Sequence, residues 1–417
     1  MPADLFAPSR RGLVLGSGAL FALAALPRIA RAEGRDPRFL AIVLRGGLDG
    51  LGVVAPVGDP DWRKLRGDKG LALDGATPAL PLDDFFALNP AMPNLHRLYK
   101  AGQALFVHAV ATPYRERSHF DGQDVLESGL AGPGATDTGW LNRAVSVPAR
   151  GGDAVSRGRQ ALAIGPIAPL VMRGPTPVVS WMPPRLPPVG DDTMMRLLDL
   201  YRHTDPVFAG VLEERIGIAA IAHAGGMDTK PADNSPAMQI GGIAQVRTYF
   251  AEAAGAAAKF LARADGPRVG ALAFDGWDTH INEGAAKGRL FDLLGALDGA
   301  IAAIETNLGD AWQETVIALV TEFGRTAYIN GSEGTDHGTA TAALFAGGAL
   351  KGGRVVADWP GLKEGDLQEK RDLRPTLDLR AVLKGLLREH LRVADRHLEA
   401  TVFPDSAAAR PLEGLLL

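Results

Sequence analysis

Six short apolar runs alternate with longer stretches of helical periodicity, and this alternation constrains the fold more than any other feature. The runs are FLAIVL (39–44), ALFVHAV (104–110), ALAI (161–164), RVGALAF (268–274), TVIALVT (315–321) and TAALFAG (341–347). Each is short and continuously apolar, as expected of a strand covered on both faces. Helical patterns fill 92–102, 118–129, 191–225, 238–265, 285–308 and 376–391. Strand and helix in regular succession predict an α/β chain: a doubly wound, mostly parallel sheet flanked by helices. The proline-rich stretch from Gly165 to Asp192 breaks the rhythm. Residues from about 165 to 265 are therefore expected to form an irregular and helical insertion, or a cap over a site.

The first thirty-two residues stand apart from this pattern. Ser9-Arg10-Arg11 precedes the apolar stretch Gly12–Leu26, and Ala30-Arg31-Ala32 follows. A charged start, a short apolar segment and an A-x-A site predict an export signal, and the paired arginines make it a twin-arginine one. The apolar stretch is shorter than the about 20 residues a bilayer span requires. The mature chain is thus expected to begin after residue 32, as a single domain over 33–417 without a stable membrane span, exported by the twin-arginine machinery to the periplasm or beyond. Losing Arg10, Arg11, Arg28 and Arg31 with only Asp4 takes its charge below the whole chain's net −4. No basic block or aromatic–basic interleaving marks a nucleic-acid surface. With no cysteine, disulfides, thiolate ligands and cysteine nucleophiles are excluded.

In parallel sheets, ligands bind beyond the C-terminal ends of the strands, and polar residues collect at those positions here. Asp49 follows the first run; Ser118, His119 and Asp121 follow the second. Asp275, Asp278 and His280 follow RVGALAF, and Glu322 and Arg325 follow TVIALV. Asp336-His337, in GSEGTDHGTA, lies just before the last run. Each has a plainer reading beside the functional one. Asp49 fits a turn or helix cap, and Ser118 with Asp121 fits a capping box. Asp278 with His280 fits a loop turn, and Glu322 with Arg325 a surface pair. His108, inside a strand pattern, reads as a core histidine.

Carboxylates and imidazoles without sulfur suit a divalent metal, zinc or manganese before magnesium or calcium. Asp49, Asp278, His280, Glu322, Asp336 and His337 supply enough donors for one or two ions. Arg45, Arg117 and Arg325, with His119, lie where they would bind a phosphate or sulfate group of a substrate. A Ser at a helix N-terminus, as Ser118 would be, also suits a nucleophile, because that helix end favours anions. No Walker A loop, G-x-G-x-x-G fingerprint or G-x-S-x-G elbow occurs at a strand-to-helix junction.

LRGGLDGLGVVAPVGDPDW, RSHFDGQDVLESG, TGWLNR, FDGWDTH, VTEFGR, GTDHGTA, GGALKGG and RPTLDLRAVL occur in that order behind the leader. Together they resemble a bacterial family known as domain of unknown function 1501, over nearly all of the mature chain. That family in turn resembles the alkaline phosphatase and sulfatase superfamily. The resemblance implies an alkaline-phosphatase-like fold, metal ligands at Asp49, Asp278, His280 and His337, and a nucleophile at Ser118. Glu322-Phe323-Gly324 stands where the superfamily has Asp-His-Gly, so one imidazole ligand is replaced. Asp278-Thr279-His280 shortens the usual D-x-x-x-H spacing. Ser118 does not lie in a formylglycine frame, which counts against sulfatase chemistry.

The expected function is an exported metal-dependent hydrolase or transferase of phosphate-type esters, with sulfate esters second. The substrate would be a small molecule or a polymer. The alternative is a non-catalytic periplasmic binding or assembly protein that keeps the fold.

Overall fold

Pairing of the apolar runs builds one nine-stranded sheet. Its strands are β1 (Arg38–Arg45), β2 (Ala104–Ala111), β3 (Ala161–Ile164), β4 (Val178–Trp181) and β5 (Val269–Asp275). They continue with β6 (Thr315–Val320), β7 (Thr341–Ala346), β8 (Arg354–Val356) and β9 (Leu377–Asp378). The computed structural model describes residues 35–150, 161–165, 167–182, 191–213, 217 and 242–417. The expected leader, with Arg10 and Arg11, lies outside the described residues, as do parts of the expected insertion. Pro37–Leu417 forms one compact unit. Among the described residues no helix is long and apolar enough to cross a membrane.

The strand order is β8-β2-β7-β6-β1-β5-β3-β4, with β9 also beside β2. β1 runs parallel to both β5 and β6, with Ile42 opposite Leu272 on one side and Leu319 on the other. β3 is parallel to β5 and β4, and β8 and β9 are parallel to β2. The exception is β7, antiparallel to β2 and β6. Its direction follows from its connection. A parallel neighbour requires a crossover, as helix α6 (Arg289–Leu308) provides between β5 and β6. Between β6 and β7 no helix intervenes, so the chain turns back at the edge it has just left. The C-terminal ends of β1, β2, β5 and β6 and the start of β7 therefore share one edge.

Helices cover both faces. On one side, Leu40, Ile42 and Leu44 pack with α6, with α1 (Pro93–Lys100) and with α5 (Ile243–Ala262). Phe250 of α5 stacks on Phe274 of β5 with ring centroids 3.7 Å apart. On the other side, Phe39, Ala41 and Val43 pack with α3 (Trp140–Ser146), α7 (Leu379–Glu389) and Leu126 of α2 (His119–Ser128). Alternation along a strand buried on both sides yields two cores, which is why the runs read as continuously apolar. The stretch expected to be irregular contains β4, an edge strand of the sheet, and helix α4 (Asp191–Thr204).

His108 lies in β2, fully buried. Its Nδ1 accepts the Ala109 N–H at 2.7 Å, so Nε2 carries the proton and donates to the Val54 carbonyl at 2.8 Å. The ring stacks on Phe86 at 5.5 Å. Burial is the main influence on its pKa and pushes it down to about 4. The unfolded chain binds this proton near the ordinary value of about 6.5, whereas the fold excludes it. Its contribution to stability is therefore complete above about pH 6.5 and falls by about 1.4 kcal/mol per pH unit on acidification towards about pH 4. Urea titrations at about pH 7 and about pH 5 are expected to show a smaller acid-induced loss in His108→Gln than in the unaltered chain. Equal losses would remove His108 as a cause.

A candidate metal centre at the sheet edge

Three loops meet at the shared edge. The segment after β2 brings Arg117, Ser118 and His119, and the segment after β5 brings Asp278 and His280. The β6–β7 connection brings Glu322 and Arg325 at its start and Asp336 and His337 near its end. Glycines permit this close meeting. A Cβ on Gly334 would lie 2.3 Å from the His280 carbonyl carbon, and one on Gly338 would lie 2.3 Å from the Arg325 carbonyl carbon.

Three imidazole Nε2 atoms and one carboxylate oxygen converge. Nε2 of His337 lies 2.9 Å from that of His119 and 3.0 Å from that of His280. Oδ1 of Asp278 is 3.0 Å from Nε2 of His280, 3.3 Å from that of His337 and 3.4 Å from that of His119. Donors held about 2.0–2.1 Å from a tetrahedral ion stand about 3.3–3.4 Å apart. The five separations given above, 2.9–3.4 Å, are close to that spacing or a little shorter. His119, Asp278 and His337 form a group whose donor atoms all lie within 4.8 Å of one another, close enough to share one ion, and His280 flanks it through His337 and Asp278.

The far side of each ring determines what its Nε2 presents. Nδ1 of His119 faces Oε1 of Glu322 at 2.9 Å, that of His280 faces Oδ1 of Asp336 at 3.1 Å, and that of His337 faces the Arg117 carbonyl at 2.9 Å. A carbonyl or an ionised carboxylate only accepts, so each Nδ1 carries a hydrogen and each neutral ring turns a bare Nε2 lone pair inward. Three lone pairs and a carboxylate oxygen facing one point repel one another unless a cation or protons lie between them.

The electrostatics agree. Burial opposes charge on His119, yet its bonds to Asp278 and Glu322 outweigh that and push its pKa up to about 9. Burial likewise opposes the charge on Asp278, but His119, His337 and Arg325 hold its carboxyl well below the usual range. Glu322 is buried, and hydrogen bonds led by that from His119 overcome the desolvation and keep its pKa low. The cluster favours positive charge at its centre, where protons and a metal ion compete for the same lone pairs.

Glu322 stands behind the donors. Its Oε1 accepts from His119 Nδ1, from the Gly46 N–H at 2.8 Å and from Gln123 Nε2 at 3.1 Å, while Oε2 accepts the Thr321 hydroxyl at 2.9 Å. Asp336 holds His280 in the same way. Arg325, fully buried, donates to Asp278 Oδ1 at 2.6 Å and to the Thr335 hydroxyl at 3.1 Å.

Other candidates from the sequence lie elsewhere. Both oxygens of Asp49 are held by Arg66, at 2.7 and 2.9 Å, with both side chains buried. Arg45 pairs with Glu127 at 2.5 Å, and Arg117 with Asp372 and Glu369. Ser118 is the N-cap residue of α2, but its side chain makes no cap bond, and Asp121 instead accepts from the Tyr114 hydroxyl at 3.3 Å. Sequence reasoning assigned His119 to substrate, whereas its Nε2 is one of the four donors. Its position one residue past Ser118, at a strand end, was the available signal. Arg66 and Gln123 were missed: Arg66 lies in no motif and at no strand end, and Gln123, although inside RSHFDGQDVLESG, is an uncharged amide in a helical pattern.

Two substitutions separate the roles. Asp49→Asn leaves the Arg66 guanidinium buried without its counter-charge and is expected to cost about 3–5 kcal/mol in chemical denaturation while leaving bound metal unchanged. Loss of metal with stability intact would return Asp49 to the ion. In Glu322→Gln the new amide oxygen still accepts from His119, Gly46 and Gln123, and the Thr321 hydroxyl accepts the new N–H. The expected result is an intact fold with metal affinity lowered about 10–100-fold, measured by competition with a chelating dye; unchanged affinity would deny it any role in orienting His119.

Among solved structures, the chain is similar to that of Ps i-CgsB in complex with k-i-k-neocarrahexaose, at 13% identity over 90% of this chain and 77% of that one, with a TM-score of 0.40. It is similar to the phosphonate monoester hydrolase of Agrobacterium radiobacter at 12% identity, over 86% and 74%, with a TM-score of 0.37. A protein in the alkaline phosphatase superfamily from Vibrio parahaemolyticus is similar at 12% identity over 78% and 63%, with a TM-score of 0.34. No curated protein matches the sequence. The chain matches the family described as Protein of unknown function (DUF1501) over residues 36–402, and it belongs to that family.

Proposed function

We propose that the protein is an exported, metal-dependent hydrolase or transferase of phosphate-type esters, with one divalent ion held by His119, Asp278, His280 and His337. The convergence of three inward-facing Nε2 atoms on Asp278 Oδ1 carries this reading. A thiol-free set of imidazoles with one carboxylate favours zinc or manganese. The donors are only partly covered, their side chains being between 23% and 42% exposed, so a substrate can reach them. An ion bound there would act as a Lewis acid towards an ester oxygen.

Ser118 is the nucleophile in this reading. Its hydroxyl is not engaged as a helix cap, and it begins α2 immediately before His119, where the helix end favours a negatively charged group. Arg117 prepares this placement. Its φ of 61° lies in the left-handed region, costly for a residue with a side chain, and its guanidinium is clamped by Asp372 and Glu369. The resulting turn aims the Arg117 carbonyl at His337 Nδ1 and fixes Ser118 beside the cluster's backbone. The leader expected at residues 1–32 supplies the export step.

Elemental analysis of protein recovered from the periplasm is expected to give one zinc or manganese per chain, with His337→Ala losing it while keeping most of its stability. With aryl phosphate mono- and diesters as substrates, Ser118→Ala and Ser118→Asp should both abolish turnover, although Asp is as good a helix cap as Ser. Activity retained in Ser118→Asp would remove the serine from the chemistry. A fully metallated chain without turnover on any such ester would favour the binding or assembly role.

A further inference from the structure

An ester of this class carries negative charge, and the three arginines closest in sequence to the strand ends are already committed. Arg45 is paired with Glu127, and Arg117 with Asp372 and Glu369. Arg325 is fully buried against Asp278 and Thr335. Arg371, on the loop ahead of β9, is ion-paired too, but it is more exposed than these three, and its guanidinium alone among the four is tied to the backbone of His337. Its Nη2 donates to the backbone carbonyl of His337 at 2.8 Å, and its Nε donates to Asp372 Oδ1 at 2.9 Å. Its Nη2 also lies 3.3 Å from Asp372 Oδ2. Its Nη1 makes no hydrogen bond among the described residues, and the side chain is 40% exposed. A guanidinium is thus anchored along one edge to a metal-ligand candidate, with its remaining N–H groups uncommitted.

We infer that Arg371 is the anion-contacting residue of this site and selects esters that carry a charged phosphoryl oxygen over neutral esters. The inference rests on the metal-centre reading above. The anchoring fixes the guanidinium before substrate arrives, so little side-chain entropy is lost on binding. A guanidinium keeps its charge at any physiological pH and binds phosphoryl oxygens through directed N–H groups. Asp372 does not cancel that charge, because the same carboxylate also serves Arg117 and accepts the Thr339 hydroxyl at 2.8 Å.

The test uses the full mature chain loaded with zinc and inorganic phosphate as the probe, followed by calorimetry, with zinc content measured on every sample. Arg371→Met is expected to bind phosphate about tenfold or more weakly at unchanged zinc content, and Arg371→Lys to recover much of the loss because it restores the charge. Phosphate binding by the unaltered chain should weaken with added salt, and this dependence should be shallower in Arg371→Met. If the unaltered chain binds phosphate and Arg371→Met binds it equally well, the inference fails alone. A zinc-loaded chain that takes up no phosphate overturns both this inference and the ester reading. A chain that takes up no zinc overturns the metal centre itself.

Discussion

Three imidazoles present lone pairs to one point only when each ring's other nitrogen is tied back, and the candidate site depends on those ties. The anchors differ in kind. His337 is held by the Arg117 carbonyl, His280 by the largely exposed Asp336, and His119 by the buried Glu322. A backbone carbonyl cannot titrate, so the tie on His337 Nδ1 lasts as long as the fold does. Glu322 is held differently: its Oε1 accepts from His119, from the Gly46 N–H and from Gln123, and these three donors favour the carboxylate form.

The ties are possible because of one departure from a purely parallel sheet. Had a helix followed β6, as one follows β5, the next strand would have started at the opposite edge, carrying Asp336 and His337 away from Asp278 and His280. A direct return makes β7 antiparallel and places both ends of the 321–340 connection at one edge. Function and topology are linked here by a missing crossover. The close approaches at Gly334 and Gly338 are its local consequence, since two loops must cross where side chains would collide.

The doubly wound sheet was legible because strands buried on both faces leave continuous apolar runs, and six of the nine did so. The other three are β4, β8 and β9. Arg354–Val356 is only half-buried, Leu377–Asp378 is two residues long, and Val178–Trp181 lies at the sheet's edge among prolines. A strand without double burial lacks the pattern. At the site, the grouping of Asp278, His280, Glu322, Asp336 and His337 was legible from strand-end position alone. The division of labour was not. Whether a carboxylate faces the centre, like Asp278, or backs a ring, like Glu322, is decided by side-chain distances of a few ångströms. The partner of Asp49 was equally hidden, because Arg66 reaches it from a short helical turn, Trp62–Arg66, that carries no motif.

That buried pair sets the charge beneath the loops of the candidate site. Arg66 answers both oxygens of Asp49 and also donates to the Ala327 and Thr326 carbonyls. Four of its five N–H groups thus serve Asp49 and the backbone. Glu283 lies nearby, with Oε1 accepting the Thr279 hydroxyl at 2.9 Å and Oε2 buried without a hydrogen-bond partner among the described residues. Burial first, and the charge of Asp49 second, push its pKa up to about 7. One guanidinium cannot compensate two buried carboxylates, so the second is driven towards its neutral form. Thr279 lies between Asp278 and His280, which ties this carboxyl to the loop that carries two of the converging atoms. With Asp49 answered by Arg66 and the charge on Glu283 disfavoured, the negative charge of this region is weighted towards Asp278 and the carboxylates that hold the rings.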